Sequence, residues 1–78
     1  MTEHYSYTIL LEPQPEGGFS VIVPALPEVI TEGDSEEEAL AMAKEAISLA
    51  LEYRRDKGLE IPSDLAPELH KIDIAVSA

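Results

Sequence analysis

Seventy-eight residues carrying 16 acidic against 5 basic side chains give a formal charge of −11, and there is no cysteine. A chain of this length makes one domain with a modest core, a size at which association often supplies further stability. Its field repels phosphate backbones and attracts basic surfaces, which argues against direct nucleic-acid binding, and the missing thiols exclude disulfides and Cys-based zinc sites. No apolar run approaches membrane-spanning length, and Met1-Thr2-Glu3-His4 lacks a basic region followed by an apolar one. A cytoplasmic protein without a membrane segment is therefore expected.

Tyr5 to Glu12 alternates, with Tyr5, Tyr7, Ile9 and Leu11 on one side and Ser6, Thr8, Leu10 and Glu12 on the other, which predicts a strand with one strongly apolar face. Pro13-Gln14-Pro15-Glu16-Gly17-Gly18 reverses the chain, and Phe19 to Val23 returns with Phe19, Val21 and Val23 on one side. Pro24 and Pro27 end that strand. Between them Leu26 is either an exposed, preordered anchor or an apolar side chain folded back onto the helix. Val29 to Glu32 is long enough for a short third strand before Gly33-Asp34 turns the chain.

Ser35 to Lys57 predicts a helix of about six turns. Ser35 can cap it at the Glu38 amide, while the Glu38 carboxylate can reach back to the Ser35 amide. Glu36, Glu37 and Glu38 complement the positive end of the dipole, Arg54, Arg55 and Lys57 the negative end, and Gly58 closes the helix. Ala39, Leu40, Ala43, Ala46, Ile47, Ala50, Leu51 and Tyr53 form its apolar stripe. Leu59 to Pro67 is a proline-punctuated loop that Leu59, Ile61 and Leu65 are expected to tack to the core. Leu69 to Val76 then reads as a last strand, with Ile72, Ile74 and Val76 alternating against Lys71, Asp73 and Ala75. The expected fold is α+β in the order βββαβ, a single domain over residues 1–78. A three-stranded antiparallel meander should carry one long helix across one face and a final strand parallel to the first or third. The opposite face or an unpaired edge should then receive a second subunit, making a homo-oligomer.

No catalytic constellation is legible. The acidic residues of the first helical turn are explained by capping, His4 and His70 are too distant in sequence to make a spacing motif, and Gly17-Gly18 is a hairpin tip rather than a phosphate loop. Glu12 and Asp34 lie where a two-metal nuclease places ligands, but no further acidic residue sits in an apolar strand to complete a cluster. No cofactor or metal is expected.

Taken in order, Tyr7 to Glu12, Gly17-Gly18-Phe19-Ser20-Val21-Ile22-Val23-Pro24-Ala25-Leu26-Pro27, Gly33-Asp34-Ser35-Glu36-Glu37-Glu38-Ala39 and Ile61-Pro62 resemble the HicB-like antitoxin family. The family's apolar strand, glycine hairpin, "VPDLPG" loop, "GD-[ST]-x-EEA" helix start and late "IP" recur here in sequence. The resemblance implies a partial RNase H-like fold. It also implies a non-enzymatic antitoxin of a toxin-antitoxin system, which blocks HicA, a small basic mRNA-cleaving toxin with a double-stranded-RNA-binding fold. Such an acidic inhibitor replaces the phosphates the toxin would otherwise hold. Two departures stand out. Glu28-Val29 replaces the family's usual glycine-cysteine, and the chain ends at Ala78 where many members continue into an operator-binding domain, so a short form without that domain is expected. Glu12, Glu16, Leu26, Glu28 and Glu32, at the loop ends of the meander, are the candidate contacts to the partner. A stand-alone structural oligomer is the alternative, and a metal-dependent nuclease a distant third.

Overall fold

The computed structural model describes residues 3–77. Three short strands, β1 (Leu10–Pro13), β2 (Phe19–Ile22) and β3 (Ile30–Gly33), form an antiparallel sheet in the order β1-β2-β3, followed by one helix, α1 (Glu36–Asp56). This is the expected α+β meander with a helix across one face.

Each element follows from local chemistry. Gly17 and Gly18 adopt positive φ at the β1–β2 turn, where Gly17 donates to the Gln14 carbonyl and Gln14 to the Gly18 carbonyl. The register sets Leu10 opposite Ile22 and Leu11 opposite Val21. Continued by two residues, it would place Thr8 opposite Pro24, which has no amide to offer, so Tyr5 to Ile9 run outside the ladder and the paired part of the first strand is shorter than the alternation suggests. Pro13 is accommodated because β1 is an edge.

Ser35 is extended (φ −136, ψ 167), and its hydroxyl accepts from the Glu38 amide at 3.1 Å. The reciprocal Glu38 carboxylate accepts from the Asp34 amide at 3.3 Å rather than from that of Ser35, one residue beyond the expected box. At the far end Leu59 donates to the Arg54 carbonyl and Gly58, with φ +68, to that of Arg55, the paired bonds of a Schellman closure.

The core lies between the sheet and α1: Val21, Val23, Leu26, Val29, Ala39, Ala43 and Leu51 are buried, with Tyr7, Ile9, Leu11, Phe19, Ala46, Ile47, Ala50 and Ile61 packed around them. The helix seam is therefore narrower than the apolar stripe. Leu40 is 45% exposed, because α1 lies over β3 and β2 and leaves its flank beside β1 open, and Tyr53, 59% exposed, lies on the other flank of the helix beside Leu49 and Leu59.

The expected final strand does not form. Residues 59–77 make neither strand nor helix, and Leu69, Ile72, Ile74 and Val76 are all more than 70% exposed. The chain leaves the domain after Asp64, so no ladder within it is offered to this segment. Of the three expected tacks only Ile61 joins the core; Leu59 and Leu65 are exposed. Polar contacts hold the start of the tail instead. The Tyr7 hydroxyl donates to the Pro62 carbonyl (2.7 Å), Arg54 Nη1 donates to the Glu60 carbonyl (3.0 Å), and Asp64 accepts from both the amide and the hydroxyl of Thr8, each at 2.7 Å.

Candidate partner-binding surface

The side of the sheet turned away from α1 is built in two cross-strand rows. Leu10, Ile22 and Ile30 are register partners in one row; Glu12, Ser20 and Glu32 are partners in the next. Pairing alone places the two glutamates on the same face, about 10 Å apart across two strand spacings. Ile22, Ile30, Glu12 and Glu32 are exposed. Gln14 Nε2 donates to Ser20 Oγ at 2.8 Å, which draws the hairpin over the acidic row. Glu16 is exposed at the apex of that hairpin, and Asp34, Glu36 and Glu37 continue the acidic surface from the end of β3 onto the helix start.

Neither of the two rows contains a lysine or an arginine. Lys44 is the first basic residue in the sequence, and the other four, Arg54, Arg55, Lys57 and Lys71, lie near the helix C-terminus or in the tail. The Glu12–Ser20–Glu32 row thus has no basic register partner, an arrangement that concentrates cationic partners near it.

The five sequence candidates separate accordingly. Glu12 and Glu32 share one row, with Glu16 at the neighbouring hairpin. Glu28 belongs to the helix side: its Oε2 accepts from Arg54 Nε (3.0 Å) and Nη2 (2.7 Å). Its own backbone amide and then the Arg54 guanidinium hold its carboxyl below the ordinary value. Leu26 is a correction. It is fully buried, because consecutive turns, with Leu26 donating to the Val23 carbonyl and Val29 to the Leu26 carbonyl, drop its side chain into the core and leave nothing of it for a partner.

Two features were missed by sequence reasoning. An open groove of about 600 Å³ runs between the lead-in to β1 and α1, lined by Tyr5, Tyr7, Ile9, Leu40, Ile47 and Leu51 among others. The Asp64–Thr8 clamp is the second. The Thr8 amide and then its hydroxyl lower the Asp64 pKa. A depressed carboxyl adds stability that is complete above its unfolded pKa of about 3.9 and lost as pH falls through the lower folded value. The Thr8 amide resonance in NMR should therefore titrate with a midpoint below that of an ordinary aspartate; a midpoint at or above about 3.9 would show that the clamp does not hold in solution.

Among the described residues no group of three or more His, Cys, Asp or Glu side chains could hold a metal, and no helix is long and apolar enough to cross a membrane. His70 lies 3.2 Å from Glu68 on an exposed stretch of the tail.

Comparison with known proteins adds a family. Residues 7–76 match the family described as "HicB_like antitoxin of bacterial toxin-antitoxin system". "Antitoxin HicB 1" of Photorhabdus laumondii is 45% identical over 56 residues, covering 72% of this chain and 36% of that protein. "Antitoxin HicB" of Escherichia coli K12 is 37% identical over 73 residues, 91% of this chain and 53% of the other. "UPF0150 protein Ta0767" of Thermoplasma acidophilum is 38% identical over 63 residues, 81% of this chain and 91% of its own length. The chain spans about half the length, or less, of these two named antitoxins.

Proposed function

The chain belongs to the HicB-like antitoxin family of bacterial toxin-antitoxin systems, and we propose that it neutralises a small, basic, HicA-like mRNA-cleaving toxin by covering the toxin's RNA-binding surface. The observation that carries this reading is the Glu12–Ser20–Glu32 row on a sheet face without a basic residue before Lys44. Carboxylates spaced along a sheet meet lysines and arginines that would otherwise hold phosphates, and the adjacent Leu10–Ile22–Ile30 row supplies an apolar centre beside the charged one. The role is binding rather than catalysis, exercised in the cytoplasm by a partial RNase H-like scaffold. Glu16 extends the contact, whereas Glu28 is engaged by Arg54 and supports the loop behind it. Self-association belongs to the same reading, supported by Ile30, Leu49 and Tyr53, which are all more than half exposed in so small a domain.

Charge reversal tests the surface. The chain should capture a small basic protein from its own cells at low salt and release it as salt rises. Against that captured protein, the double variant Glu12→Lys/Glu32→Lys should bind at least about tenfold more weakly with a shallower salt dependence. The control Glu45→Lys/Glu52→Lys, on the outer face of α1, should bind within about twofold of the parent, since exposed charges outside the contact act only through a screened field. Equal losses in both variants would show that net charge, not this face, governs recognition.

A further inference from the structure

Among the described residues two features lack a partner, and they are complementary. The first is the segment 69–76. Its alternation of Ile72, Ile74 and Val76 with Lys71, Asp73 and Ala75 is that of a strand with one buried face, yet the three apolar side chains are 75%, 74% and 86% exposed. Within a chain of charge −11 this stretch balances one lysine against one aspartate, so it can lie on another acidic copy without adding repulsion. The second is the groove beside β1. Here an edge strand with its extended lead-in faces the uncovered flank of α1, and Tyr7, Ile9, Leu40, Ile47 and Leu51 line the gap.

We propose that the two meet between copies: segment 69–76 of one chain lies along the β1 edge of a second copy, sets Ile72, Ile74 and Val76 over its groove, and receives the same segment in return. The dimer is isologous, closed by a two-fold axis, and fills both vacant features with parts the chain itself supplies. On the β3 side α1 packs against the strand, in contrast to its open flank beside β1.

The path of the chain favours exchange over closure on itself. Pro62 and Asp64 are tied to Tyr7 and Thr8, and from there the tail runs outward, giving extents of 61 × 25 × 18 Å and a radius of gyration of 15.9 Å. A compact chain of this length has a radius near 11 to 12 Å. To enter its own groove the tail would have to reverse within Leu65 to Glu68, where Pro67 fixes its own φ and biases Ala66 toward an extended backbone. An extended hinge of this kind carries a terminal strand to a neighbour. The inference deepens the self-association proposed above and does not depend on a toxin.

The absence of cysteine makes the test clean. Chains carrying Ile74→Cys and chains carrying Leu40→Cys are mixed under a glutathione redox buffer and resolved without reductant. The expected product is a disulfide-linked pair of twice the 8.5 kDa chain mass, formed at least about tenfold faster than with Glu45→Cys as the helix partner, since docking raises the effective thiol concentration only in the groove. Light scattering of the unmodified full chain should give a dimer. A Leu40→Cys/Ile74→Cys double variant that closes mainly within one chain at low concentration would overturn the proposal in favour of self-closure. Cross-linking no faster than the Glu45→Cys control would overturn it as well. Neither failure would touch capture of a basic partner through Glu12 and Glu32, which lie on the opposite side of the sheet.

Discussion

Leu26→Ala is expected to lower stability by about 2 to 5 kcal/mol, the cost of deleting a large buried aliphatic side chain where the surroundings relax only partly. Leu26 is fully buried and is the largest such side chain in the core, and the turns on either side of it pin the backbone, so the site cannot collapse to fill the void. A domain of this length has roughly 4 to 12 kcal/mol of total stability, so the variant removes a large share of it. Thermal unfolding by circular dichroism, at matched protein concentration, should fall by at least about 10 °C. A melting temperature within about 2 °C of the parent would show that Leu26 does not sit in the core in solution. The same variant also separates the two readings of this leucine: a surface anchor would lose binding with stability intact, whereas a core residue loses stability first.

Gly33→Ala is expected to be comparably severe for a different reason. Its φ lies outside the left-handed region, so the glycine is not there for conformational freedom. A Cβ at this position would stand 2.4 Å from the Ala39 amide nitrogen, 2.7 Å from the Ala39 Cα and 2.8 Å from the Glu38 carbonyl carbon. All three are backbone atoms in the first turns of α1, held by the Ser35 cap, so relief requires the helix to lift from β3. Overpacking that flexible side chains can absorb costs about 1 to 3 kcal/mol; here the neighbours are rigid and the cost should reach or exceed the upper limit. The checks are a lowered urea midpoint and displaced amide resonances at Glu38 and Ala39. An unchanged midpoint would mean that the close approach of strand and helix is absent. The Gly33-Asp34-Ser35 run thus has a packing cause: the glycine lets α1 start against the end of β3, and the serine caps it there.

What could be read in the sequence was what neighbouring residues decide among themselves. The helix matches its capping signals to within a residue at each end, because Ser35, Glu38 and Gly58 act on backbone groups a few positions away. The inward sides of the first two strands follow their alternation: Tyr7, Ile9 and Leu11 join the core rim, as Val21 and Val23 join its centre. The losses occurred where a distant partner decides. Leu40 and Leu51 fit the same helical stripe, yet only Leu51 is buried, since the lateral position of α1 over β3 and β2 is not written in the helix itself. The contacts of Glu28 with Arg54 and of Thr8 with Asp64 span 26 and 56 residues, beyond any spacing rule. Leu69 to Val76 has the pattern of a strand, but a pattern makes a strand only where a ladder is offered, and the tail leaves the domain before it meets one.

The candidate surface was partly legible in the same sense. Glu12 and Glu32 end the strands that the alternation predicts; that they share a face follows only from the register through Ser20. Sequence position could not distinguish them from Glu28, which folding turns toward Arg54, or from Leu26, which the two turns bury.

The proposal that the acidic sheet face stands in for RNA on a basic ribonuclease has a direct test. Cleavage of a labelled mRNA by the small basic protein captured at low salt should be measured as this chain is titrated in. Cleavage is expected to stop near one chain per captured protein, and the same amount of the Glu12→Lys/Glu32→Lys variant to leave it running. Undiminished cleavage at excess of the parent chain, or equal protection by the variant, would contradict it.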